Sequence, residues 1–472
     1  MTDGRDQQRF VEESVIAAPQ VDDDPARARS EAGHAGYFAS RAGWALASFG
    51  ATMSIKLGLN VVLSRLLAPE IFGIMVIVNA LRVGVELLTD VGIEQNIVHN
   101  RRGLEPDFFN TAWTLQMLRG AGLALIFLAL APLAAAFYAI DVRVFLLVSL
   151  APLLNSLHST AIFVLVKQLE VKKRNLFELT AELFNFAVCC LFAWASPTVW
   201  SLLAGVLVAI GFRSALSYAL PHPAHRVVLR REHVGTILRF GRWIFLASLL
   251  TYAAANFDRL ALGRLAPLAL LGIYGLARTI AELPATLAGR ISYQVIFPYL
   301  SAGAGERVTV DRAMGRARLA FLVLAAGGIA TVAGWSDHAV DLLYDPRFHR
   351  AGPMLCLLLP AAWVAVVATL NEALVLGAGH PRAIGTAGVV RVALIAIGLP
   401  AGYLLHGFAG AIAAILAGEL ARYALLARAQ ARLGLLLARQ DALATLAFAA
   451  MLLGWVAVRY ATDMGMPWTG LA

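Results

Sequence analysis

The sequence predicts an all-α polytopic membrane protein in which two six-helix modules are followed by one extra C-terminal hydrophobic segment. Composition gives the first observation: 59% of the 472 residues are hydrophobic and 15% are charged, whereas soluble domains are about half apolar and a quarter charged. The second is that apolar runs of about 20 residues, long enough to cross a bilayer, recur after residue 37. The third is an internal repeat at an offset of 199 residues.

The repeat is centred on residues 63–98, much of which returns as residues 262–297. An ungapped shift of 199 residues pairs Trp44 with Trp243, Arg65 with Arg264, Gly73 with Gly272, and Arg119 with Arg318. A period of this length is too long for a solenoid of small units and indicates two fused copies of one large module.

The apolar runs place the membrane spans in order along the chain. Spans are predicted at 38–64, 71–96, 113–138, 143–166, 178–197, 199–220, 241–263, 270–299, 317–335, 353–378, 383–405 and 408–428, with a thirteenth near 442–460. Six spans per module is an even number, so both modules cross the membrane in the same direction. Such a parallel repeat places a site between the halves near mid-bilayer.

This span pattern divides the chain into four parts. They are a tail, predicted to be disordered and cytoplasmic (1–36), a first module (37–235), a second module (236–430) and an additional C-terminal membrane segment (431–472). The tail carries eight acidic residues and four arginines, and this low hydrophobicity leaves little core to bury.

The connectors predict the orientation. On the side that includes the tail they hold 19 lysines and arginines, against five on the other side. Because these residues concentrate in cytoplasmic loops, the N-terminus is predicted to be cytoplasmic. The basic charge of the chain is then a topology signal and does not indicate a nucleic-acid partner. The one sizeable outside loop is 336–352, which is too short for a catalytic domain.

Charged residues within the predicted spans are the candidate site. By default such residues face the bundle interior or a watery cavity. Arginines and lysines there can hold an anionic group such as a phosphate, and the predicted substrate-binding residues are Lys56, Arg82, Arg278, Arg290 and Arg391. The acids that would pair with them or carry a coupling ion are Glu86, Asp258, Glu282, Glu372 and Glu419.

A second interpretation of the charges stays open. Arg82–Glu86 and Arg278–Glu282 are each four residues apart, so they could be intrahelical pairs that lower each other's desolvation cost. Four further arginines near span ends are predicted to snorkel to lipid headgroups: Arg65, Arg119, Arg264 and Arg318.

No residues predict a metal, a bound cofactor or an enzymatic site. The sequence lacks a phosphate-binding loop and a paired-histidine metal motif. Cys189, Cys190 and Cys356 lack metal spacing and are expected to be inert core thiols. His222 and His225 form a loop pair without further ligands, expected to be solvated. Proton or sodium coupling is the one ionic requirement that we consider.

Two stretches carry a family resemblance. They are SRLLAPEIFGIMVIVNAL with LTDVGIEQNIV in the first module, and NFDRLALGRLAPLALLGIYGLARTIAELPATL with VIFPYLS in the second. The segment VDLLYDPRFHRAGPMLCLLLPA adds a late outside loop. In this order, across residues 38–430, they resemble the polysaccharide transporter family, the Wzx-type oligosaccharide flippases of the multidrug/oligosaccharidyl-lipid/polysaccharide (MOP) superfamily. The thirteenth segment departs from the family, whose members often have twelve or fourteen spans.

The resemblance implies a V-shaped, two-lobed transporter with a cationic central cavity. It also implies that undecaprenyl-pyrophosphate-linked oligosaccharides are moved from the inner to the outer leaflet of a bacterial inner membrane by alternating access. Membrane lipids, a polysaccharide polymerase and export machinery would be the partners, in exopolysaccharide, capsule or O-antigen assembly. The alternatives are a peptidoglycan-precursor flippase, a drug/cation antiporter or, less favoured, a membrane polysaccharide polymerase.

Overall fold

The structure is a computed structural model that describes most of the chain: residues 47–87, 93–100, 103–168, 170–220, 225–292, 312–435 and 437–469. The described residues belong to two units: 47–49 to the first, and those from 50 to 469 to the second. In the first unit the described residues, 47–49, are helical. The predicted cytoplasmic tail, 1–36, lies outside the described residues. The rest of this section concerns the second unit.

The described part of the second unit is built from helices. The helices of the first module are α1 (50–66), α2 (Pro69–Leu87), α3 (Ile93–His99), α4 (Pro106–Tyr138), α5 (Val142–Val148), α6 (Leu150–Ser156), α7 (Ala161–Lys167), α8 (Val171–Ala195) and α9 (Val199–Ser217). Those that follow are α10 (Arg231–Leu265), α11 (Leu268–Ile291), α12 (Arg312–Gly334), α13 (Ser336–Leu343), α14 (Ala351–Gly377), α15 (Pro381–Leu433) and α16 (Ala438–Ala461). A short 3₁₀ turn, Pro346–Phe348, lies between α13 and α14.

Most predicted spans are confirmed as helices, with shifted ends. Eight helices in the described residues are long and apolar enough to cross a bilayer, or nine if the bent pair in the fourth span counts as one. The predicted continuous fourth span, 143–166, is wrong: residues 142–156 and 161–167 meet at a bend of 52°. Ser159 and Thr160 lie in that bend and are buried, and they carry the polar groups that an interrupted helix needs. Hydropathy alone did not distinguish this span from a straight one.

The predicted eleventh and twelfth spans run together in α15, a 53-residue helical segment. The backbone breaks at His406 and Gly407, and Gly407 has a φ of 58°, a conformation that glycine adopts without steric cost. The two arms fold back on each other, since a Cβ added at Gly402 would lie 2.4 Å from the carbonyl oxygen of Gly410. Two spans joined by a tight turn are therefore present, as predicted.

The two modules meet in a reciprocal contact between α2 and α11, the helices that the repeat makes equivalent. A Cβ added at Gly73 would lie 2.0 Å from the carbonyl oxygen of Leu268, and one added at Gly272 would lie 2.0 Å from that of Pro69. Pro69 and Leu268 are themselves separated by the 199-residue offset. A contact in which each partner repeats the other's role indicates two-fold symmetry, so the predicted internal repeat is confirmed. The side-chain-free glycines bring the two backbones together.

The C-terminal helix α16 lies parallel to α12 and is joined to the second module at both ends. Near the start of α12, the buried Arg318 donates to Asp441 Oδ1 at 2.6 Å. Just beyond its other end, Arg459 Nη2 donates to Asp337 Oδ2 at 2.5 Å, and the Arg459 side chain is fully buried. Helix α16 has 24 residues and α12 has 23. The extra hydrophobic segment therefore runs the full length of its neighbour.

The α13 end of this connection is held by a strongly acidic carboxyl group. Burial by itself would raise the pKa of Asp337, but hydrogen bonds from Arg459 and His338 outweigh this effect and lower the pKa to about 2. The carboxylate contributes stability above the ordinary aspartate pKa of about 4, and that contribution is lost only as the pH falls through about 2. This ion pair is therefore present at neutral pH.

Candidate functional site

A polar cavity of about 610 Å³ lies against the first module, within the usual range for ligand pockets. Helices α1, α2, α8 and α9 supply most of its walls, and Thr279 of α11 contributes from the second module. Three of the predicted site residues line it: Lys56, Arg82 and Glu86. Its remaining charged and amide lining consists of Asn60, Asn79, Asn155, Glu182, Asn185 and Arg213.

Each cation that lines this cavity has a carboxylate partner. The pairs are Lys56–Glu182 at 3.2 Å, Arg82–Glu86 at 2.9 Å and Arg213–Glu178 at 2.9 Å. The Arg82 pair lies within one helix, as the second interpretation of the sequence proposed. Lys56 is about half exposed, at 47%. An anion entering this cavity would therefore displace the carboxylates that already neutralise these bases, or bind the bases alongside them.

The predicted charges of α10 and α11 form a buried cluster that does not line this cavity. Asp258 accepts hydrogen bonds from Arg278 Nε at 2.9 Å, Tyr274 Oη at 2.6 Å and the Arg259 backbone N–H at 2.8 Å. Glu282 lies 3.2 Å from Arg278 and 2.8 Å from Arg259. The closest carboxylate to Arg278 thus belongs to Asp258 on the neighbouring helix, which spacing along α11 alone did not indicate.

A second buried cluster joins α14 and the two arms of α15. Arg391 lies 2.6 Å from Glu419, and Arg422 lies 3.3 Å from the same residue. Arg422 also donates to Glu372. Two arginines thus face two carboxylates, and Glu419 is 2% exposed. The predicted acids Glu372 and Glu419 act in this structure as charge partners.

Arg290 is separated from both clusters. It follows Arg278 on α11 by twelve residues, or about 18 Å along a helix axis, and is exposed. Its charge interacts with those of Arg174 and Glu178 on α8. Of the five predicted substrate-binding bases, two therefore line the described cavity, two are buried among carboxylates, and one lies near a helix end.

Three of the four arginines predicted to snorkel donate to polar groups of the protein: Arg318, Arg119 and Arg65. Arg318 is 3% exposed and donates to both Asp441 and Asn371. Arg119 donates to the backbone carbonyl of Glu86. The prediction failed because it considered only distance from span ends. The Arg318 partner, Asp441, lies in a connector-like stretch that hydropathy placed outside the thirteenth span.

The histidine expected in a solvated loop is packed among aromatic rings. His225 contacts Phe109, Trp113 and Tyr218, with ring centroids 5.4, 4.8 and 5.3 Å away, and its Nε2 lies 3.1 Å from Ser159 Oγ. His222 lies outside the described residues. Among the described residues, no group of three His, Cys, Asp or Glu side chains is placed to hold a metal ion.

A contact between the modules lies next to the cavity. Phe72, which lines the cavity, meets Phe348 of the 3₁₀ turn with ring centroids 5.1 Å apart. Arg65 at the end of α1 donates to the Leu343 carbonyl, and Arg347 donates to the Arg65 carbonyl. The predicted outside loop 336–352 is thus a helix and turn that contact the first module at α1 and α2.

Comparison with known families identifies the chain. Residues 62–352 match the profile of a family described as "Polysaccharide biosynthesis protein". The chain belongs to that family. The match spans more than half of the chain and includes the reciprocal α2–α11 contact.

Two relatives of this polysaccharide biosynthesis protein have similar sequences. The succinoglycan biosynthesis transport protein ExoT of Rhizobium meliloti (strain 1021) is 22% identical over 320 residues, covering 67% of this chain and 64% of the relative. The lipopolysaccharide biosynthesis protein WzxC of Escherichia coli (strain K12) is 24% identical over 258 residues, covering 50% and 49%. The chain thus matches less than two thirds of the length of either relative.

Solved structures share the fold. The lipid II flippase MurJ in an inward closed conformation gives a TM-score of 0.66 at 11% identity, covering 89% of this chain and all of MurJ. An inward-facing multidrug resistance MATE family transporter of the MOP superfamily gives 0.62 at 14% identity, covering 83% and 98%. The protein is therefore a multi-pass membrane protein with the MOP transporter fold.

Proposed function

We propose that this protein is a flippase that moves undecaprenyl-pyrophosphate-linked oligosaccharide units from the inner to the outer leaflet of a bacterial inner membrane. The units would feed exopolysaccharide, capsule or O-antigen assembly, with a polymerase and export machinery acting next. The observation that carries the proposal is a cavity, lined by the first module with Thr279 from the second, that presents Lys56 and Arg82 in a member of a polysaccharide biosynthesis family. The chain would not itself be an enzyme.

In this mechanism Lys56 and Arg82 hold the pyrophosphate. A pyrophosphate offers several anionic oxygens, and hydrogen bonds to charged groups are stronger than neutral ones. Glu182 and Glu86 are the present partners of these two bases. Binding would loosen both pairs, and closing them again would help to release the headgroup. A carboxylate that is freed in this way could take up a proton or sodium ion, so coupling would lie at these pairs.

The contact between Phe72 and Phe348 would then be one of two alternating gates. In the present conformation this contact is formed, with ring centroids 5.1 Å apart. Alternating access requires this contact to open when the opposite end closes. If the N-terminus is cytoplasmic, as predicted, the 336–352 segment would face outside, and the described conformation would accept a substrate from the inner leaflet.

The test is lipid binding by the purified protein in nanodiscs. We expect undecaprenyl pyrophosphate to bind more tightly than undecaprenol, and Lys56→Gln/Arg82→Gln to weaken that binding at least about tenfold, because each lost charged hydrogen bond contributes about 1.5–3 kcal/mol. Arg143→Gln, which removes an exposed arginine outside this cavity, is the matched control and should bind as the unmodified protein does. Equal binding of the alcohol and the pyrophosphate would contradict the proposal.

A further inference from the structure

A second, smaller cavity lies behind the main one in the first module. It has a volume of about 180 Å³, and we call it the alcove. Its lining consists of Glu86, Ile93, Glu94, Gln116, Arg119, Gly120, Leu123, Pro152, Asn155, Ser156, His158 and Phe163. Glu86 and Asn155 line the main cavity as well, so the two spaces are neighbours that share a wall.

The alcove has the size of one six-membered ring. An apolar cavity of about 150 Å³ takes a benzene-sized molecule, and the alcove is slightly larger. It is too small for a disaccharide or a prenyl chain. A ligand would therefore enter as a single ring, with its remaining part in the main cavity.

The walls of the alcove are fixed by the bend in the fourth span. Gln116 Nε2 donates to the carbonyls of Ser156 at 2.8 Å and His158 at 2.9 Å, which are freed where the helix is interrupted. A Cβ added at Gly120 would lie 1.9 Å from Ser156 Oγ, so α4 and α6 are in close contact there. The bend therefore builds a rigid polar wall.

Two polar side chains in the alcove are available to a ligand. Within the described part of the chain, neither the Glu94 carboxylate nor the Asn155 side-chain amide forms a hydrogen bond or ion pair. The amide offers donors and an acceptor, and the carboxylate offers acceptors. Adjacent hydroxyl groups on a ring present the same mixture of donors and acceptors. Phe163 adds an apolar face against which ring carbons can pack.

The formal charge of the alcove argues against an anionic ligand. With neutral histidine it holds one base, Arg119, and two acids, Glu86 and Glu94. Arg119 already donates to the Glu86 carbonyl. The Glu86 carboxylate is itself paired with Arg82, so the Glu94 carboxylate is the group that would repel a pyrophosphate. An uncharged polyhydroxylated ring would not be repelled by it.

We propose that the alcove binds one neutral pyranose ring of the transported oligosaccharide while the pyrophosphate lies at Lys56 and Arg82. This inference rests on the proposed flippase function and adds to it a sugar-selective subsite. The alcove would select for a ring whose hydroxyls match Glu94 and Asn155, because a buried hydrogen-bonding group left unpaired by the wrong sugar is costly.

The experiment is saturation-transfer NMR on the protein in nanodiscs prepared without sugar detergents. The probes are the methyl pyranosides of glucose, galactose and mannose. We expect at least one to bind the unmodified protein, and Glu94→Ala/Asn155→Ala to weaken that binding at least about tenfold. Glu94→Gln, which keeps the side-chain shape, is a second variant and should weaken it less. Asn79→Ala is the matched control, since Asn79 lines the main cavity but not the alcove, and should bind within about twofold of the unmodified protein.

Binding of undecaprenyl pyrophosphate separates this proposal from the flippase proposal. The Glu94→Gln variant should retain it, since Glu94 lines the alcove and not the main cavity, and this binding also reports that the variant is folded. No transfer to any probe in the unmodified protein, or equal transfer in the double variant, would overturn the alcove subsite and leave the flippase proposal intact. If the double variant loses sodium binding but keeps sugar binding, the alcove is a cation site. That result would likewise overturn the proposal. Failure of the unmodified protein to bind the pyrophosphate lipid would instead count against the flippase proposal.

Discussion

Replacing Asp441 with asparagine is expected to lower the free energy of unfolding by about 3–5 kcal/mol, the usual cost of removing one partner from a buried ion pair. Asp441 and Arg318 have side chains that are 2% and 1% exposed. The loss of Asp441 leaves the Arg318 guanidinium buried without its counter-charge. Chemical unfolding of the purified protein in mixed micelles measures the change.

Two further variants distinguish this explanation from a general effect of substitution. Asp341→Asn changes an exposed aspartate on α13 and should shift stability by no more than about 0.5 kcal/mol. Arg318→Gln/Asp441→Asn removes both charges and should be more stable than Asp441→Asn alone. If the stability lost by the double variant equals the sum of the losses of Arg318→Gln and Asp441→Asn measured singly, the two residues are not coupled.

Replacing Arg278 with methionine is the second change with a large expected effect, also about 3–5 kcal/mol. The substitution removes the 2.9 Å pair with Asp258 and the 3.2 Å pair with Glu282. Asp258, 3% exposed, would then keep its charge with fewer donors. The same unfolding measurement applies, together with the amount of protein that reaches the membrane.

The matched control lies on the same helix. Arg290→Met replaces an exposed arginine of α11 and should cost about 0.5 kcal/mol or less. Asp258→Asn/Arg278→Met should recover part of the loss, because both buried charges are then absent. If Arg278→Met is as stable as the unmodified protein yet fails in lipid binding, Arg278 contacts the substrate and its assignment to a structural cluster is wrong.

Much of the fold follows from local sequence properties. The length of its apolar run identifies a membrane-spanning helix such as α14. Each helical residue adds a fixed rise across the bilayer, and apolar side chains along that length are kept out of water. The repeat identifies α2 and α11 as equivalent because matched glycines are required where two backbones approach. The fourth span could not be predicted in detail, since its break depends on Gln116, a residue of another helix, satisfying the freed carbonyls.

The site was predictable in residue type and less so in arrangement. Charges within apolar runs singled out Lys56 and Arg82, and both line the cavity; their role in substrate binding stays a prediction. The same rule applied to Arg278 and Arg391 could not separate a cavity from a buried cluster, because their partners Asp258 and Glu419 lie on other helices or helix arms. The alcove was missed since it is formed by a bend that the sequence did not indicate.

The measurement that tests the central claim most directly is the leaflet distribution of lipid-linked oligosaccharide in a bacterial strain lacking the gene. We predict that surface polymer disappears while complete pyrophosphate-linked repeat units accumulate in the inner leaflet. Complete units that reach the outer leaflet and remain unpolymerised would contradict the account, because the protein would then act after translocation.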